Sequence, residues 1–209
     1  MEISTDDGPG RAEIVWPAGA GPARKGRRRP APPFLLVLTH GSGRAPDSAD
    51  LLAVRDAALP LGGAVALVTQ PYVVKGRRAP GAADRQDSAW LEIVAALRAA
   101  ARPGRLIQGG RSNGARVACR TARAAGARGV LALAFPLHPP GHPERSRAAE
   151  LDAAGTDVLV INGSRDPFGV PEPGERRQVA VLPAETHALT RNPAAVGAAA
   201  GAWLREMLD

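Results

Sequence analysis

The chain has 209 residues, 44% of them hydrophobic, which suits one domain of roughly 100–250 residues around a single core. Its 27 basic and 20 acidic side chains leave a formal net charge of +7, but only 3% of residues are aromatic and no nucleic-acid motif is present, so a base-stacking nucleic-acid binder is not expected. A single cysteine excludes an internal disulfide or a multi-cysteine zinc site and suits a reducing, cytoplasmic setting, and no run reaches the roughly 20 apolar residues of a membrane span.

Residues 1–209 read as one domain in which short apolar runs alternate with helically spaced segments, the signature of βαβ units and a mostly parallel sheet. A first strand is expected at Glu13 to Trp16. The Pro/Gly/Arg-rich stretch from Pro17 to Pro33 follows, and its basic run, Arg24 to Arg29, reads as a solvated loop, with a polyanion contact as the alternative. That run precedes apolar residues as an export signal would. However, the apolar part spans only Phe34 to Thr39, prolines interrupt the approach, and a polar His-Gly-Ser-Gly comes next, so a buried strand fits better.

A helix is expected at Ser48 to Ala58 and a strand at Ala64 to Thr69. In the next segment, "TQPYVVKGRR", Tyr72 is a candidate pocket residue; Lys75, Arg77 and Arg78 are either solvated loop charges or an attraction for an anionic substrate. Gln86 to Ala101 reads as a helix whose Trp90, Ile93, Val94 and Leu97 fall at i, i+3, i+4, i+7 and face a sheet. The strand Leu106 to Gln108 and the helix Asn113 to Ala124 come next, with Cys119 in that helix read as a small buried hydrophobe rather than a reactive thiol. Strands are further expected at Val130 to Phe135, Val158 to Asn162 and Gln178 to Leu182, and a closing helix at Pro193 to Leu208 with Val196, Ala200, Trp203 and Leu204 on one side. The segment from Pro136 to Gly155 is too short for a separate cap domain, so any substrate pocket is expected to be open.

Between a strand and a helix, Gly110-Arg111-Ser112-Asn113-Gly114 satisfies G-x-S-x-G. The pentapeptide alone is weak, but its strand-turn-helix setting is that of a nucleophile elbow, where the flanking residues must lack bulk and the serine takes a strained backbone. A helix N-terminus there points N–H groups at charge developing on a carbonyl oxygen. The alternative is a serine that merely caps the helix. A serine nucleophile needs a base and an acid, in the chain order Ser, acid, His. Asp166 in "INGSRDPFG" and His187 in "PAETHALT" follow the last two strands and end at the same sheet edge. "LTHGSG", Leu38 to Gly43, follows an early strand. Its Ser42 N–H is the candidate second oxyanion donor beside that of Asn113, while His40 is expected to organise the loop rather than react.

The strings "LTHGSG", "GGRSNGARVA", "FPLHPPGHPE", "NGSRDPFG" and "THAL" resemble, in order and wording, the compact α/β-hydrolase-like family. That family includes bacterial dienelactone-hydrolase-like proteins, a testis-expressed animal protein and a subunit of the non-specific-lethal histone acetyltransferase complex. The resemblance implies an α/β-hydrolase fold with helices on both faces of a mostly parallel sheet, Ser112 as nucleophile, Asp166 as acid and His187 as base. It thereby implies a serine esterase acting on a small acyl substrate without a cofactor; a catalytically silent binding or scaffold protein is the alternative. His40, Gly41, Tyr72, Leu137, His138 and Phe168 are the expected pocket residues. His138, His142 and Glu144 could supply three metal ligands, but the prolines and glycine around them suggest a rigid pocket wall instead. Two departures stand out. The elbow reads Ser-Asn-Gly-Ala where the family has Ser-Met-Gly-Gly, and the nucleophile is serine where dienelactone hydrolases proper use cysteine, so lactone chemistry does not carry over.

Overall fold

The computed structural model describes residues 1–21 and 30–208, so the Arg24 to Arg29 run lies outside the described residues. The elements are β1 (Glu2–Ile3), β2 (Gly10–Val15), β3 (Phe34–Thr39), α1 (Ala49–Ala58), β4 (Ala64–Thr69), α2 (Pro71–Val74), α3 (Ala83–Ala101), β5 (Arg105–Arg111), α4 (Asn113–Ala125), β6 (Gly129–Leu133), α5 (Ala148–Asp152), β7 (Asp157–Gly163), β8 (Arg177–Leu182) and α6 (Pro193–Leu208). Among the described residues the strands form one eight-stranded sheet, ordered β1-β2-β4-β3-β5-β6-β7-β8. From β3 to β8 every pairing is parallel, and β1 and β2 add antiparallel pairs at one edge.

The period of two along β3 sorts its side chains between two cores. Leu36 and Leu38 pack with Leu51 and Val54 of α1 and with Val196, Trp203 and Leu204 of α6. Leu35 and Val37 point the other way, onto Trp90, Ile93, Val94 and Leu97 of α3. Further along that second face, α4 offers only small side chains, Ala115, Ala118, Cys119 and Ala122, to Val130, Ala132, Val158 and Val160, which brings its axis close to the sheet. Helix α4 stops at Gly126, whose φ of 64° turns the chain back toward β6. Each fully buried Leu or Ile removes enough apolar area from water to contribute about 2 kcal/mol, so both helical layers are held by burial of these stripes.

Two strands are longer than the apolar runs suggest. Strand β2 begins at Gly10, because its inward positions there are Gly10 and Ala12, too small to register as an apolar run. Strand β5 continues to Arg111, since Gly109, Gly110 and Arg111 keep their ladder with β6 despite their turn-like composition. The one-turn helices α2 and α5 and the two-residue β1 carry too few residues for any periodicity to announce them. Among the described residues no helix is long and apolar enough to cross a membrane.

The strand order fixes where a site can form. From β3 the chain runs through α1 to β4 on one side, and after α3 it returns to β5 on the other, so the loops leaving β3 and β5 diverge and open a crevice at the carboxyl ends of these strands.

Polar contacts tie α4 to its neighbours outside that crevice. Arg116 donates to both oxygens of Glu150 at 2.8 and 2.6 Å, and Arg120 donates to Asp87 at 2.6 and 2.9 Å and to Glu150 at 3.3 Å. Burial alone would raise the Glu150 carboxyl, but the hydrogen bonds and charges of Arg116 and Arg120 outweigh it and hold its pKa below the ordinary value of 4.5. A depressed folded-state pKa stabilises the fold fully above the unfolded value, and that share is lost as pH falls through the folded one. Glu150→Gln should therefore cost about 1 kcal/mol at neutral pH, with the gap to wild type narrowing below about pH 4.5; urea denaturation at pH 7 and at pH 3.5 measures both.

Candidate active site

The crevice is built around the turn from β5 into α4. Ser112 sits there with φ 53° and ψ −113°, in a backbone region that residues other than glycine rarely occupy, and its amide donates to the Leu133 carbonyl at 2.9 Å. Although it occupies the first cap position of α4, its side chain makes no cap hydrogen bond. The turn requires glycine on both sides. A Cβ on Gly110 would lie 2.7 Å from the Gly114 carbonyl carbon and the Thr39 oxygen, and one on Gly114 would lie 2.7 Å from the oxygens of Thr39 and His40.

The serine hydroxyl turns instead to His187 Nε2, 2.9 Å away, and on the far side of the ring Nδ1 lies 2.9 and 3.1 Å from the two oxygens of Asp166. Three loops that are distant in sequence thus place hydroxyl, imidazole and carboxylate in one chain of contacts. Asp166 is buried and held in turn: Phe168 N–H donates to Oδ1 at 2.9 Å and the Asn162 amide to Oδ2 at 3.3 Å. Its loop and that of His187 lie back to back, because Gly163 at the end of β7 leaves room for the Glu185 carbonyl, which a Cβ there would approach to 2.3 Å. Arg165 N–H donates to that same carbonyl at 2.9 Å. Phe168 packs its ring on the imidazole of His187 at 4.3 Å between centroids and covers one face of it.

The loop after β3 forms the opposite side. Gly41 lies so near that a Cβ on it would be 3.3 Å from Ser112 Cβ, while Ser42 is exposed at the mouth and Asn113 opens the first turn of α4, where backbone N–H groups have no intrahelical acceptor.

His40 does not line the crevice as a pocket residue should. It is 1% exposed and both ring nitrogens are engaged, Nδ1 with the Gly41 carbonyl at 2.7 Å and Nε2 with the Gln70 amide at 3.0 Å. Accepting from that amide leaves Nε2 unprotonated, and burial is the main force lowering the pKa of the ring. Tyr72 lies beneath the same loop with its hydroxyl against Asn113, Gly43 and Ser42, without a well-formed hydrogen bond, and burial pushes its pKa up to about 12. It lines, with Gln70, Arg77 and Gln86, a cavity of about 250 Å³ to which Ser112 does not contribute. Lys75 pairs with Asp7 at 2.9 Å.

Leu137 and His138 are half-buried on the loop beside Phe168, with the His138 amide donating to the Phe168 carbonyl at 3.0 Å. His138 Nδ1 faces Pro139 O at 2.9 Å and His142 Nδ1 faces Glu144 at 3.1 Å; among the described residues no group of three or more His, Cys, Asp or Glu side chains is arranged to hold a metal ion. Four further residues support the site: Asp50, Arg111, Asn162 and Glu185. Arg111 donates to the His187 carbonyl at 2.6 Å and pairs with the fully buried Asp50 at 3.0 Å. Glu185 takes the Asn192 N–H at 2.6 Å. The signal for Arg111 was a charge inside an otherwise small-residue turn, and for Asn162 an amide ending the apolar run "VLVI"; Asp50 and Glu185 carry none.

The family model described as "Alpha/beta hydrolase domain" matches residues 32–189. No protein among the curated sequences matches the chain. Among solved structures, XC6422 from Xanthomonas campestris, a serine hydrolase described as without a lid, superposes with a TM-score of 0.79 over 99% of this chain and 93% of its own at 17% identity. Est1E from Butyrivibrio proteoclasticus follows at 0.75 over 99% and 98% with 15% identity, and a dienelactone hydrolase from Anabaena variabilis at 0.74 over 99% and 95% with 17% identity. At these identities the likeness is one of fold.

The tightness of the elbow is open to measurement. Gly114→Ala should lower stability by about 3 kcal/mol, since neither carbonyl facing it can retreat without disturbing the end of β3 or the loop that follows it. Chemical denaturation of the purified variant checks this, and a loss under 0.5 kcal/mol would contradict the packing described.

Proposed function

The chain belongs to the alpha/beta hydrolase domain family, whose model covers most of its length, and from that premise we propose that it is a serine hydrolase cleaving a small ester or related acyl bond. The observation that carries the reading is the unbroken chain of contacts from Ser112 Oγ through both nitrogens of His187 to Asp166.

In this mechanism His187 Nε2 takes the proton of Ser112 as the hydroxyl oxygen attacks the substrate carbonyl. Asp166, hydrogen-bonded to Nδ1–H, keeps the ring in the tautomer with Nε2 free and stabilises the imidazolium without being protonated itself. The amides of Asn113 and Ser42 bind the oxyanion of the tetrahedral intermediate, helped by the positive end of α4. As the intermediate collapses, the imidazolium gives its proton to the departing alcohol and the acyl group stays on Ser112. Water then enters, loses a proton to His187, and a second tetrahedral intermediate releases the acid and restores the serine. Gly41, beside Ser112, and Phe168, on the ring of His187, border the place where the substrate would lie. The exposure of Ser42 and the absence of a cap in the Pro136 to Gly155 segment favour small or extended substrates that need no enclosure. The buried lone cysteine suits a cytoplasmic setting.

Ser112→Ala should abolish hydrolysis of p-nitrophenyl acetate and remove labelling by a fluorophosphonate probe; labelling that persists in this variant would put the nucleophile elsewhere, and labelling absent from wild type would overturn the reading in favour of a hydrolase shell used for binding. Asp166→Asn should keep the fold and lower kcat by about 10⁴, as expected when the imidazole is left in the wrong tautomer; steady-state kinetics on the same ester checks it.

A further inference from the structure

Arg111 immediately precedes the candidate nucleophile, and its side chain joins that turn to the backbone of His187 and to a buried carboxylate on α1. Its Nη2 donates to the backbone carbonyl of His187 at 2.6 Å, and its Nε stands 3.0 Å from Oδ2 of Asp50. Nη1 reaches the Gly41 side, 3.3 Å from where a Cβ on that glycine would lie. Asp50 is wholly inaccessible and the guanidinium nearly so, at 11% side-chain exposure. Such a pair gains little net stability over an apolar replacement, because desolvation offsets the attraction, which makes its presence beside the nucleophile informative.

A short closed circuit results. Ser112 connects through one peptide bond to Arg111, whose side chain holds the backbone of His187, whose ring returns to Ser112 Oγ at 2.9 Å. The other side of the His187 loop is fixed separately, by Glu185 accepting from Asn192 and by Arg165 donating to Glu185. The backbone of His187 is therefore tied to the Ser112 side by a single guanidinium, which the buried carboxylate of Asp50 on α1 accompanies as an ion pair. We propose that Arg111 is a positioning residue that, with Asp50 as its buried counter-ion, holds His187 in register with Ser112. The inference rests on the serine-hydrolase reading above and assigns that site a support on the α1 side.

The test is the second-order rate of Ser112 phosphonylation by a fluorophosphonate, which reports activation of the hydroxyl without depending on a particular ester. Arg111→Met should slow it by about 10²-fold, the scale expected for an ångström-sized misplacement of a catalytic group. Arg111→Lys keeps a charge for Asp50 but cannot span both partners, and should also be slow; it carries the comparison if the Met variant does not fold. The decisive measurement is made in a His187→Ala background. There, adding Arg111→Lys should change the residual rate less than twofold, because a residue acting through His187 has nothing left to position, whereas a general loosening of the elbow would slow it again. Wild-type rates in both Arg111 variants, or a further large loss in the His187→Ala background, would overturn the inference while leaving the hydrolase reading in place. A wild-type protein that does not react at Ser112 would remove both.

Discussion

Between the last residues of β5 and the first turn of α4 there is no room for a Cβ at either position 110 or position 114, and the turn that closes this gap leaves Ser112 at φ 53°. A backbone in that region costs on the order of 1–3 kcal/mol, which the surrounding packing must offset. It does so from both sides: the small faces of Ala115, Ala118 and Cys119 let α4 settle against β6 and β7, and the ladder of β5 continues through Gly110. The serine hydroxyl thereby points out over the sheet edge instead of capping the helix that follows it.

The carboxylate and imidazole that meet Ser112 are placed by the same edge. Parallel strands deliver their carboxyl ends to one rim, so β7 and β8 bring Asp166 and His187 beside an elbow that precedes them by more than fifty residues. Beneath the rim lies a second tier of buried polar groups. His40 ties its own loop to Gln70, Gln70 joins Thr39 and Gln86, and Asn162 fastens the Phe135 backbone to the Asp166 turn. Each is buried and satisfied, as groups in a low-dielectric interior must be if they are to stiffen it. The loops that carry Asp166 and the Gly41 turn are thereby hung from a fixed frame.

Much of this was legible in the residues. Long apolar strands such as Phe34 to Thr39 and the stripe Trp90, Ile93, Val94, Leu97 announce themselves through periodicity, and the positions of serine, aspartate and histidine after three parallel strands put all three at one edge. What periodicity could not reveal is where small inward residues continue a strand, as at Gly10 and Ala12, or which polar side chains turn inward. His40 and Tyr72 follow strand ends just as Asp166 does, yet both ring nitrogens of His40 are engaged by backbone groups, and Tyr72 faces a cavity to which Ser112 does not contribute. The Arg111–Asp50 contact joins residues sixty-one positions apart, on a strand and a helix that no local pattern relates.

The same close seating of α4 determines the fate of the only sulfhydryl in the chain. Cys119 lies fully buried in the cluster that α4 forms with β6, β7 and α5, and burial pushes its pKa up to about 12, which disfavours the thiolate that alkylating agents or peroxides would attack. Only when α4 peels from the sheet does the sulfur become available, which makes its modification a built-in clock for opening of this layer.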